Sequence, residues 1–593
     1  MHAARLQAAF DHLIGHRYVA ARDAFLAMVA RTPADAHARV GLAAAFAALN
    51  EPAKAKFHAL EALRLAPHDE RLTIGAAQSL VKAGDATHAV KVMEQARSAH
   101  PTWYRLRGAL GVMYENLGQL ADAEACLREC LAGDPTDYLS RVGLANVFAS
   151  QGRADDAWRS LQAIAAEGHV DQHLLEAMAG VSSYVEAITP SEAYKAHAEL
   201  GRFYAMHAPS LTFSYPATDD ASRTLRVALV SHDFNDHAVA HFLRPLLAHL
   251  RRDDLRVIGV HTGLLTDAVT TQLRAHCDEF LHLPQISSAD LATRLHAAKI
   301  DIAIDVNGWT TGHRLAAFAT KFAPVLMTYL GYPHSTGIAN IDYRLVDSIT
   351  DPPGSERFAS ESLLQLDPCF LCYAPVFDRA DMQGWTRPAR QAGPITFASC
   401  NAAKKISEGA IAAWSRVLAR VPDARLVIKG RGLSQEGTQA ALHARLEQAG
   451  IPRERCEVMG QAMSNPDHFS TLASFDIALD AFPYNGTTTT CELLSVGVPV
   501  VTIMGNRHVA RVGASLLHQV GLGELVASDI DDYVERAVAL AHDTSRLAQL
   551  RASLPQRLLS SPLCNGKAYA DRFAATLRAA WKTRCERGVR DRT

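Results

Sequence analysis

The sequence has no long hydrophobic run, few cysteines and almost no net charge. Its longest apolar stretch, residues 493–504, has 12 residues, whereas a membrane-spanning helix needs about 20. Ten cysteines in 593 residues do not make a disulfide scaffold. The balance of 60 Lys and Arg against 62 Asp and Glu argues against a nucleic-acid binder. The first residues lack the apolar segment of a signal peptide. We therefore expect a reducing, cytoplasmic setting, with no transmembrane segment and no nucleic-acid partner.

Several common motifs are also absent. No G-x-G-x-x-G follows a first strand and no G-x-x-x-x-G-K-[ST] occurs, which disfavours NAD-dependent hydride transfer and P-loop hydrolysis. Cys126 and Cys130 lie one helical turn apart in an Ala-rich segment, where packing is favoured over bonding. Cys369 and Cys372 form one C-x-x-C without a second ligand pair nearby, so a zinc or redox role is disfavoured.

A period of 34 residues organises the N-terminal third. Prolines stand at positions 33, 67, 101 and 135, and alanines recur at 21, 55, 89, 123 and 157. This period and the closing proline are typical of the tetratricopeptide repeat (TPR). The pattern predicts a TPR α-solenoid over residues 1–169, with a groove that binds peptide or protein. Residues 170–209 are predicted to form a helical cap and a linker.

The remaining two thirds alternate apolar runs with amphipathic segments. RVALVSHDF, RVIGVHTG and DIAIDVNGW begin one series of strands, and PITFASCN, RLVIKGRG and FDIALDAF begin another. Continuous apolar strands between helices indicate parallel sheets covered on both faces. We predict two Rossmann-like domains, at 210–380 and 381–564, joined around 373–393 and followed by a C-terminal helix at 565–593. Ligand is expected in the cleft at the carboxyl ends of the strands.

A threonine-rich turn follows the strand FDIALDAF. Asn485 and Gly486 precede four threonines that lead into a helix. Free amides and hydroxyls at a helix start favour a phosphate site, although an ordinary Thr-rich cap has the same pattern. Glu492, expected in the first turn of this helix, would repel phosphate and is better suited to accept hydrogen bonds from ribose hydroxyls.

Basic residues follow the first strand of each predicted domain. Lys404 and Lys405 stand where one lysine could neutralise a diphosphate; the alternative is a solvated pair. His237 and His241 are spaced for one helical face near two aspartates, but no third metal ligand is evident. A histidine in the cleft suits acid–base work near neutral pH.

The run GYPHSTG after another strand predicts a tight turn. Gly331 and Pro333 would let the backbone approach a ligand there. An ordinary loop has the same spacing.

Taken together behind a TPR array, these segments resemble the O-GlcNAc transferase family, glycosyltransferase family 41. The matching runs occur in the family's order: HDFNDHAVAHF, DVNGWTTGHR, GYPHSTGIANIDYRLVD, NAAKKIS, NGTTTTCELLSVGVPVVT and RVGASLL. The chain is most similar to bacterial members, because 373–393 leaves no room for the long insertion of the animal enzymes. The resemblance implies a GT-B fold and an inverting, metal-independent transfer without a cofactor. UDP-GlcNAc would be the donor, UDP the product, and a protein Ser or Thr hydroxyl, recruited by the TPR groove, the acceptor.

The resemblance also implies a role for particular residues. Those on the donor side are Lys405 at the diphosphate, Thr488 and Thr489 at the phosphates, Glu492 at the ribose and His468 near the uridine, with Asn485, Gly486 and Thr487 in the same turn. Gly331, Tyr332 and Pro333 match the turn near the sugar and the acceptor. His237 matches the active-site histidine, and either it or the donor's own phosphate takes the acceptor's proton.

The sequence departs from the family pattern at several positions. Thr487 stands where the family has a histidine, Glu492 where it has Asp, Ala402 where it often has Gln, and Asn465 where a lysine is expected near the uridine. Asn146 is isolated, so the asparagines of the animal TPR groove are mostly missing. Another donor, such as UDP-glucose, and a TPR adaptor with a degenerate catalytic region remain alternatives; the presence of Lys405 and His237 favours an enzyme.

Overall fold

The computed structural model describes residues 2–15, 17–215, 220–250, 253–375, 393–462 and 464–590, and side chains as far as residue 586. The chain divides into two compact units, one of residues 1–150 with 159–168 and one of residues 151–158 with 169–593. The predicted domain boundary near residue 380 and nearly all of the connection at 373–393 lie outside the described residues. No helix among the described residues is long and apolar enough to cross a membrane.

The first unit is built from paired helices of 13 or 14 residues each. Proline follows the second helix of a pair, where it ends the helix because it lacks an amide donor. The alanines that recur every 34 residues are fully buried, and an added Cβ at Gly111 would lie 2.6 Å from Leu127 Cγ. Small residues therefore allow the paired helices to pack closely, which confirms the predicted helical repeat. The helices are α1 His2–Ile14, α2 Tyr18–Arg31, α3 Ala36–Ala48, α4 Pro52–Leu65, α5 Glu70–Lys82, α6 Ala86–Ala99, α7 Tyr104–Asn116, α8 Leu120–Gly133, α9 Tyr138–Ser150 and α10 Ala154–Ala166, the last of which has residues in both units.

The second unit begins with two further helices and a seven-stranded sheet. The helices are α11 Gln172–Ser182 and α12 Pro190–Met206. The strands are all parallel, in the order β3-β2-β1-β4-β5-β6-β7. Their bounds are β1 Leu225–Ser231, β2 Leu255–His261, β3 Glu279–His282, β4 Ile302–Asp305, β5 Val325–Thr328, β6 Tyr343–Val346 and β7 Ser362–Gln365. The helices between them are α13 Ala238–Leu250, α14 Ala268–Ala275, α15 Ser288–Ala297 and α16 Leu315–Phe318.

A second parallel sheet follows, with six strands in the order β10-β9-β8-β11-β12-β13. Its strands are β8 Thr396–Ser399, β9 Arg425–Lys429, β10 Cys456–Met459, β11 Ile477–Leu479, β12 Val500–Ile503 and β13 Val526–Ala527. Its helices are α17 Glu408–Arg420, α18 Glu436–Gln448, α19 Asn465–Ala473, α20 Thr488–Ser495, α21 Val512–Gln519, α22 Ile530–His542, α23 Thr544–Ser560 and α24 Gly566–Arg590. Two parallel sheets with helices between their strands confirm the predicted α/β class.

Three strands were not predicted from the sequence. β3 and β7 form the edges of the first sheet, and the end residues of each are exposed. An edge strand lacks the continuous apolar run of a central parallel strand. β13 has only two residues, too few to show any pattern.

The last helix, α24, packs on α13 of the first sheet's half. Tyr569 on α24 places its hydroxyl 2.6 Å from that of Tyr329, and Arg578 donates to the carbonyl oxygen of Arg223 at 2.7 Å. The C-terminal helix thus ties the end of the chain to the half that begins at β1.

Candidate active site at the carboxyl ends of the strands

The strand order of each sheet reverses at its centre, between β1 and β4 in the first and between β8 and β11 in the second. In parallel α/β sheets, ligands bind outside the carboxyl ends of the strands at such a reversal. The loops after β1 and β9 lie near each other here, since the charge of Arg431 helps to lower the pKa of His237. Likewise, Glu492 in α20 acts on His241. The two sheet domains therefore lie close together at the carboxyl ends of their strands, where the sequence predicts the ligand cleft.

Lys405 lies in a short 3-10 turn, Ala403–Lys405, that follows β8. Its Nζ donates to the backbone carbonyl oxygen of Asn485 at 2.7 Å and stands 4.0 Å from the centre of the Tyr484 ring. Burial lowers the pKa of Lys405, while the charge of Asp480 opposes that change. Its neighbour Lys404 is exposed and lies over Tyr184 instead. Only the second lysine of the pair thus reaches the turn that precedes α20.

The Asn485-Gly486 turn is held by buried hydrogen bonds. Asp480 Oδ1 accepts from the amide of Gly486 at 2.8 Å, and its Oδ2 accepts from the hydroxyl of Thr502 at 2.8 Å. The side chain of Asn485 is fully buried, donating to the carbonyl of Ala481 and accepting from the amide of Gly513. These two side chains therefore shape the turn, and it is the backbone of Asn485 that faces Lys405.

The N terminus of α20 begins after a threonine that does not cap it. Thr487 occupies the cap position, but its side chain makes no capping hydrogen bond, and Thr487, Thr488 and Thr489 are all half-buried. At Gly486, an added Cβ would lie 2.7 Å from Thr490 Oγ1. Uncapped amides with adjoining hydroxyls at a helix start have the properties of an anion site.

Glu492 lies in a chain of three polar side chains. Its Oε2 is 3.2 Å from His468 Nε2, and His468 Nδ1 is 2.8 Å from Lys429 Nζ. Because an ammonium group can only donate, Nδ1 accepts and the ring carries its hydrogen on Nε2, which donates to Glu492. Lys429 thus fixes the tautomer of His468, and His468 orients the carboxylate of Glu492.

One expectation about this region needs correction. The sequence predicts Glu492 in the first turn of α20, but the helix begins only at Thr488, so Glu492 is its fifth residue and no acidic residue lies in the first turn. Asn465 opens α19, and its standing in place of a family lysine stays a prediction.

The sequence analysis did not single out Lys429, which lies at the end of β9 and supplies an ammonium group to His468. Its signal in the sequence is a lysine that closes the apolar run RLVIKG, and only 5 % of it is exposed.

His237 lies directly before α13, with about a third of its side chain (35 %) exposed. Burial lowers its pKa; Asp233 opposes that change and Arg431 adds to it. The amide of Val239 donates to His237 Nδ1 at 3.3 Å, whereas Asp233 Oδ2 stands 3.9 Å from the same atom. The neutral ring therefore carries its hydrogen on Nε2 in this arrangement.

The turn after β5 is as tight as predicted. An added Cβ on Gly331 would lie 2.0 Å from the carbonyl oxygen of Val306, so only glycine fits. The hydroxyl of Tyr332 lies 2.9 Å from His197 Nε2 on α12, and His197 Nδ1 lies 2.7 Å from the carbonyl of Ala193. Tyr332 thus donates to the cap helices, while Pro333 lines a polar cavity beside α12.

In the part of the chain that the structure describes, the cysteines form no disulfide and the potential metal ligands form no metal site. All ten cysteines are free, and Cys369 and Cys372 are buried. No group of three or more His, Cys, Asp or Glu side chains among the described residues could hold a metal ion.

Comparison with known proteins decides the family. The model of glycosyltransferase family 41 matches residues 188–378 and 388–573, which is more than half of the chain. The chain belongs to glycosyltransferase family 41. A tetratricopeptide-repeat model matches residues 104–137, which agrees with the period of the first unit.

Relatives within family 41 agree with this placement. The chain is 35 % identical over 412 residues to the Arabidopsis thaliana protein named probable UDP-N-acetylglucosamine–peptide N-acetylglucosaminyltransferase SPINDLY, covering 68 % of this chain and 44 % of that protein. It is 26 % identical over 410 residues to the SEC protein of the same plant, covering 65 % and 41 %. The chain spans about half the length of the curated relatives it matches.

A solved structure matches most of the chain. It is that of a mutant O-GlcNAc transferase of Thermobaculum terrenum, with 29 % identity and a TM-score of 0.78, covering 87 % of this chain and 99 % of that one. The resemblance drawn from the motifs is therefore confirmed, as is the fold of a helical solenoid followed by two Rossmann-like domains. The roles of individual family 41 residues stay predictions, because none of the comparisons tests them.

Proposed function

We propose that this protein is an inverting glycosyltransferase that moves GlcNAc from UDP-GlcNAc to Ser or Thr hydroxyls of proteins. The observation that carries the proposal is the position of Lys405 against the turn that opens α20: its ammonium group lies 2.7 Å from the carbonyl of Asn485, two residues before the uncapped Thr487. A cation, free amides and hydroxyls lie together. This set can take up the charge that develops on a departing diphosphate.

The same groups support transfer without a metal ion. In many glycosyltransfer reactions the leaving group's charge must be offset for the anomeric carbon to become oxocarbenium-like. Lys405, the hydroxyls of Thr488 and Thr489 and the start of α20 supply that offset from the protein itself. We therefore expect no cofactor and no metal requirement.

The nucleoside end of the donor would lie against Glu492 and His468. Glu492 has accepting capacity beyond its bond to His468, which suits ribose hydroxyls, and His468 offers a ring face for the base. Asn485 contributes through its backbone, and Gly486 keeps the space beside the Thr489 and Thr490 hydroxyls open.

His237 would contact the reacting groups from the other half. Its hydrogen on Nε2 suits donation to an oxygen of the donor or acceptor, which favours the donor's own phosphate as the group that takes the acceptor's proton. Gly331 lets the backbone come close to the sugar. The TPR unit would recruit the acceptor protein through its groove.

The donor is tested with a thermal-shift panel in EDTA. UDP-GlcNAc, UDP-glucose and GDP-linked hexoses are each added to the full chain. A ligand that binds only the folded state raises the free energy of unfolding, by about 2.7 kcal/mol at a hundredfold excess over Kd, and so raises the melting temperature. UDP-GlcNAc should give the largest rise. A larger rise with another nucleotide sugar would reassign the donor, in line with the changes at Thr487 and Glu492.

Transfer is then tested by mass spectrometry on lysate proteins incubated with the purified protein, UDP-GlcNAc and EDTA. New Ser- or Thr-linked GlcNAc is expected. If no nucleotide sugar raised the melting temperature and no sugar were transferred, the protein would be a TPR adaptor and the proposal would be wrong. A strict need for added metal would overturn the metal-free mechanism alone.

A further inference from the structure

A small polar cavity lies within the second unit, where three of its parts meet. Tyr194 of α12 lines one side, residues that follow β5 and β6 line another, and the turn after β12 lines the third. Of the residues predicted to bind the donor, Pro333 alone borders it; Lys405 and the threonines of α20 do not. The function proposed above uses none of the other residues that line it.

Arg344 contributes a buried positive charge to this cavity. It lies on β6 and only 5 % of it is exposed. Its Nη1 is 3.5 Å from Asp351 Oδ1, at the limit of a hydrogen bond. Its Nη2 is buried and has no hydrogen-bond partner among the described residues. A buried guanidinium donor without an acceptor is costly, so this atom needs an oxygen that the described residues do not supply.

A second unpartnered atom lies on the same cavity. His334 Nε2 is buried and without a partner among the described residues, and its ring stacks on His197 with centres 4.5 Å apart. Burial lowers the pKa of His334 well below its usual value, so the ring is neutral at pH 7. It can donate one hydrogen bond from Nε2, while the positive charge comes from Arg344.

The one carboxylate on the cavity is already engaged. Asp351 Oδ2 lies 2.5 Å from His508 Nδ1, on the turn after β12, and Oδ1 faces Arg344. Arg507, beside it, donates both ends of its guanidinium to the carbonyls of Ser182 and Val185. The buried hydrogen-bonding atoms of the cavity that lack a partner among the described residues are thus the donors on Arg344 and His334.

We propose that this cavity is a binding site for a small oxyanion, a phosphate ion or a carboxylate, held by Arg344 Nη2 and His334 Nε2. A charged acceptor suits the guanidinium, because such hydrogen bonds are roughly twice as strong as neutral ones. Since the walls come from α12 and from both sheets' loops, a bound anion joins these three parts and raises the melting temperature.

The test measures binding of inorganic phosphate, and separately of acetate, to the full chain by calorimetry at constant ionic strength, with chloride as the reference ion. Phosphate could also bind at the start of α20, so the Thr488→Val/Thr489→Val variant removes that site. We expect phosphate or acetate to bind the wild type and still to bind this double variant, through the cavity. The two ions, titrated separately, show whether the site prefers phosphate or carboxylate.

Arg344→Gln should weaken that binding by about tenfold or more, since it removes a charged donor. Because Arg344 is buried, His334→Phe serves as a second variant: it keeps the stacking on His197 and removes only the donor. Binding that is lost in the threonine variant but kept in Arg344→Gln and His334→Phe would overturn the proposal, as would the absence of binding in the wild type. Titration of UDP into the same variants shows separately whether the donor site is intact.

Discussion

The Nζ atom of Lys405 lies 2.7 Å from the backbone carbonyl oxygen of Asn485, so the loop after β8 is joined to the loop after β11. A carbonyl offers a partial negative charge where a diphosphate would offer a full one. The lysine is thus held beside the start of α20; in the function we propose, it exchanges this partner for a phosphate oxygen. Its neighbour Lys404 lies over the ring of Tyr184 instead.

Lys405→Ala should lower transfer by about 10²–10³, the usual cost of removing one group that offsets developing charge. Folding should survive, because the lysine contributes charge and little core packing. Lys404→Ala is the matched control and should keep near wild-type turnover. Initial rates and melting temperatures of both variants test this prediction. Wild-type turnover in Lys405→Ala would refute the proposed role of Lys405 at the diphosphate.

The pH dependence should show an alkaline limb that belongs to Lys405. Burial lowers its pKa, so the charged form is lost as pH rises through a value well below 10.5, and kcat/KM falls there. In the donor complex, diphosphate charge raises the pKa again, so kcat should hold to higher pH.

Lys405→Arg provides the control for this limb, because its guanidinium stays charged throughout. The variant should be slower but free of the alkaline fall in kcat/KM. A limb that persists unchanged in Lys405→Arg would show that another group titrates.

Glu492→Asp restores the residue type usual in the family but should weaken UDP binding by about tenfold. The shorter side chain withdraws from His468 Nε2, now 3.2 Å away, and the loss of a hydrogen bond to a charged group costs about 1.5–3 kcal/mol. Calorimetric titration of UDP measures the effect. Glu457→Asp, at an exposed position on β10, is the control. Tighter binding in Glu492→Asp would contradict the arrangement with Lys429 and His468.

His237→Gln should keep more activity than His237→Phe. Glutamine can donate a hydrogen bond but cannot act as a base near neutral pH, so it preserves the role that the Val239 amide assigns to the Nε2 hydrogen. A general base would instead be worth about 10²–10⁴, lost equally in both variants. Comparison of kcat in the two variants, with His249→Gln on the exposed face of α13 as control, separates the roles.

Much of the architecture could be predicted from local pattern. The prolines at 34-residue intervals and the buried alanines such as Ala55 and Ala89 dictate a helical repeat, because close helix packing needs small residues at fixed positions. Apolar runs between amphipathic segments likewise predict parallel sheets. The turn at Gly331 and the threonines of α20 were recognisable for the same reason, since chemistry carried by one short segment is visible in that segment.

Only the tertiary structure decided which distant segments contact each other. Lys429 reaches His468 and Glu492, 39 and 63 residues further along the chain, and nothing in RLVIKG alone names those partners. The hydroxyl of Tyr332 bonds to His197, 135 residues away, a partner that the GYPHSTG run does not indicate. The unmet donors of Arg344 and His334 exist only once β6 and the loop after β5 are packed together. Local periodicity determines elements and their buried faces, whereas hydrogen-bond satisfaction and charge depend on which elements the fold brings into contact.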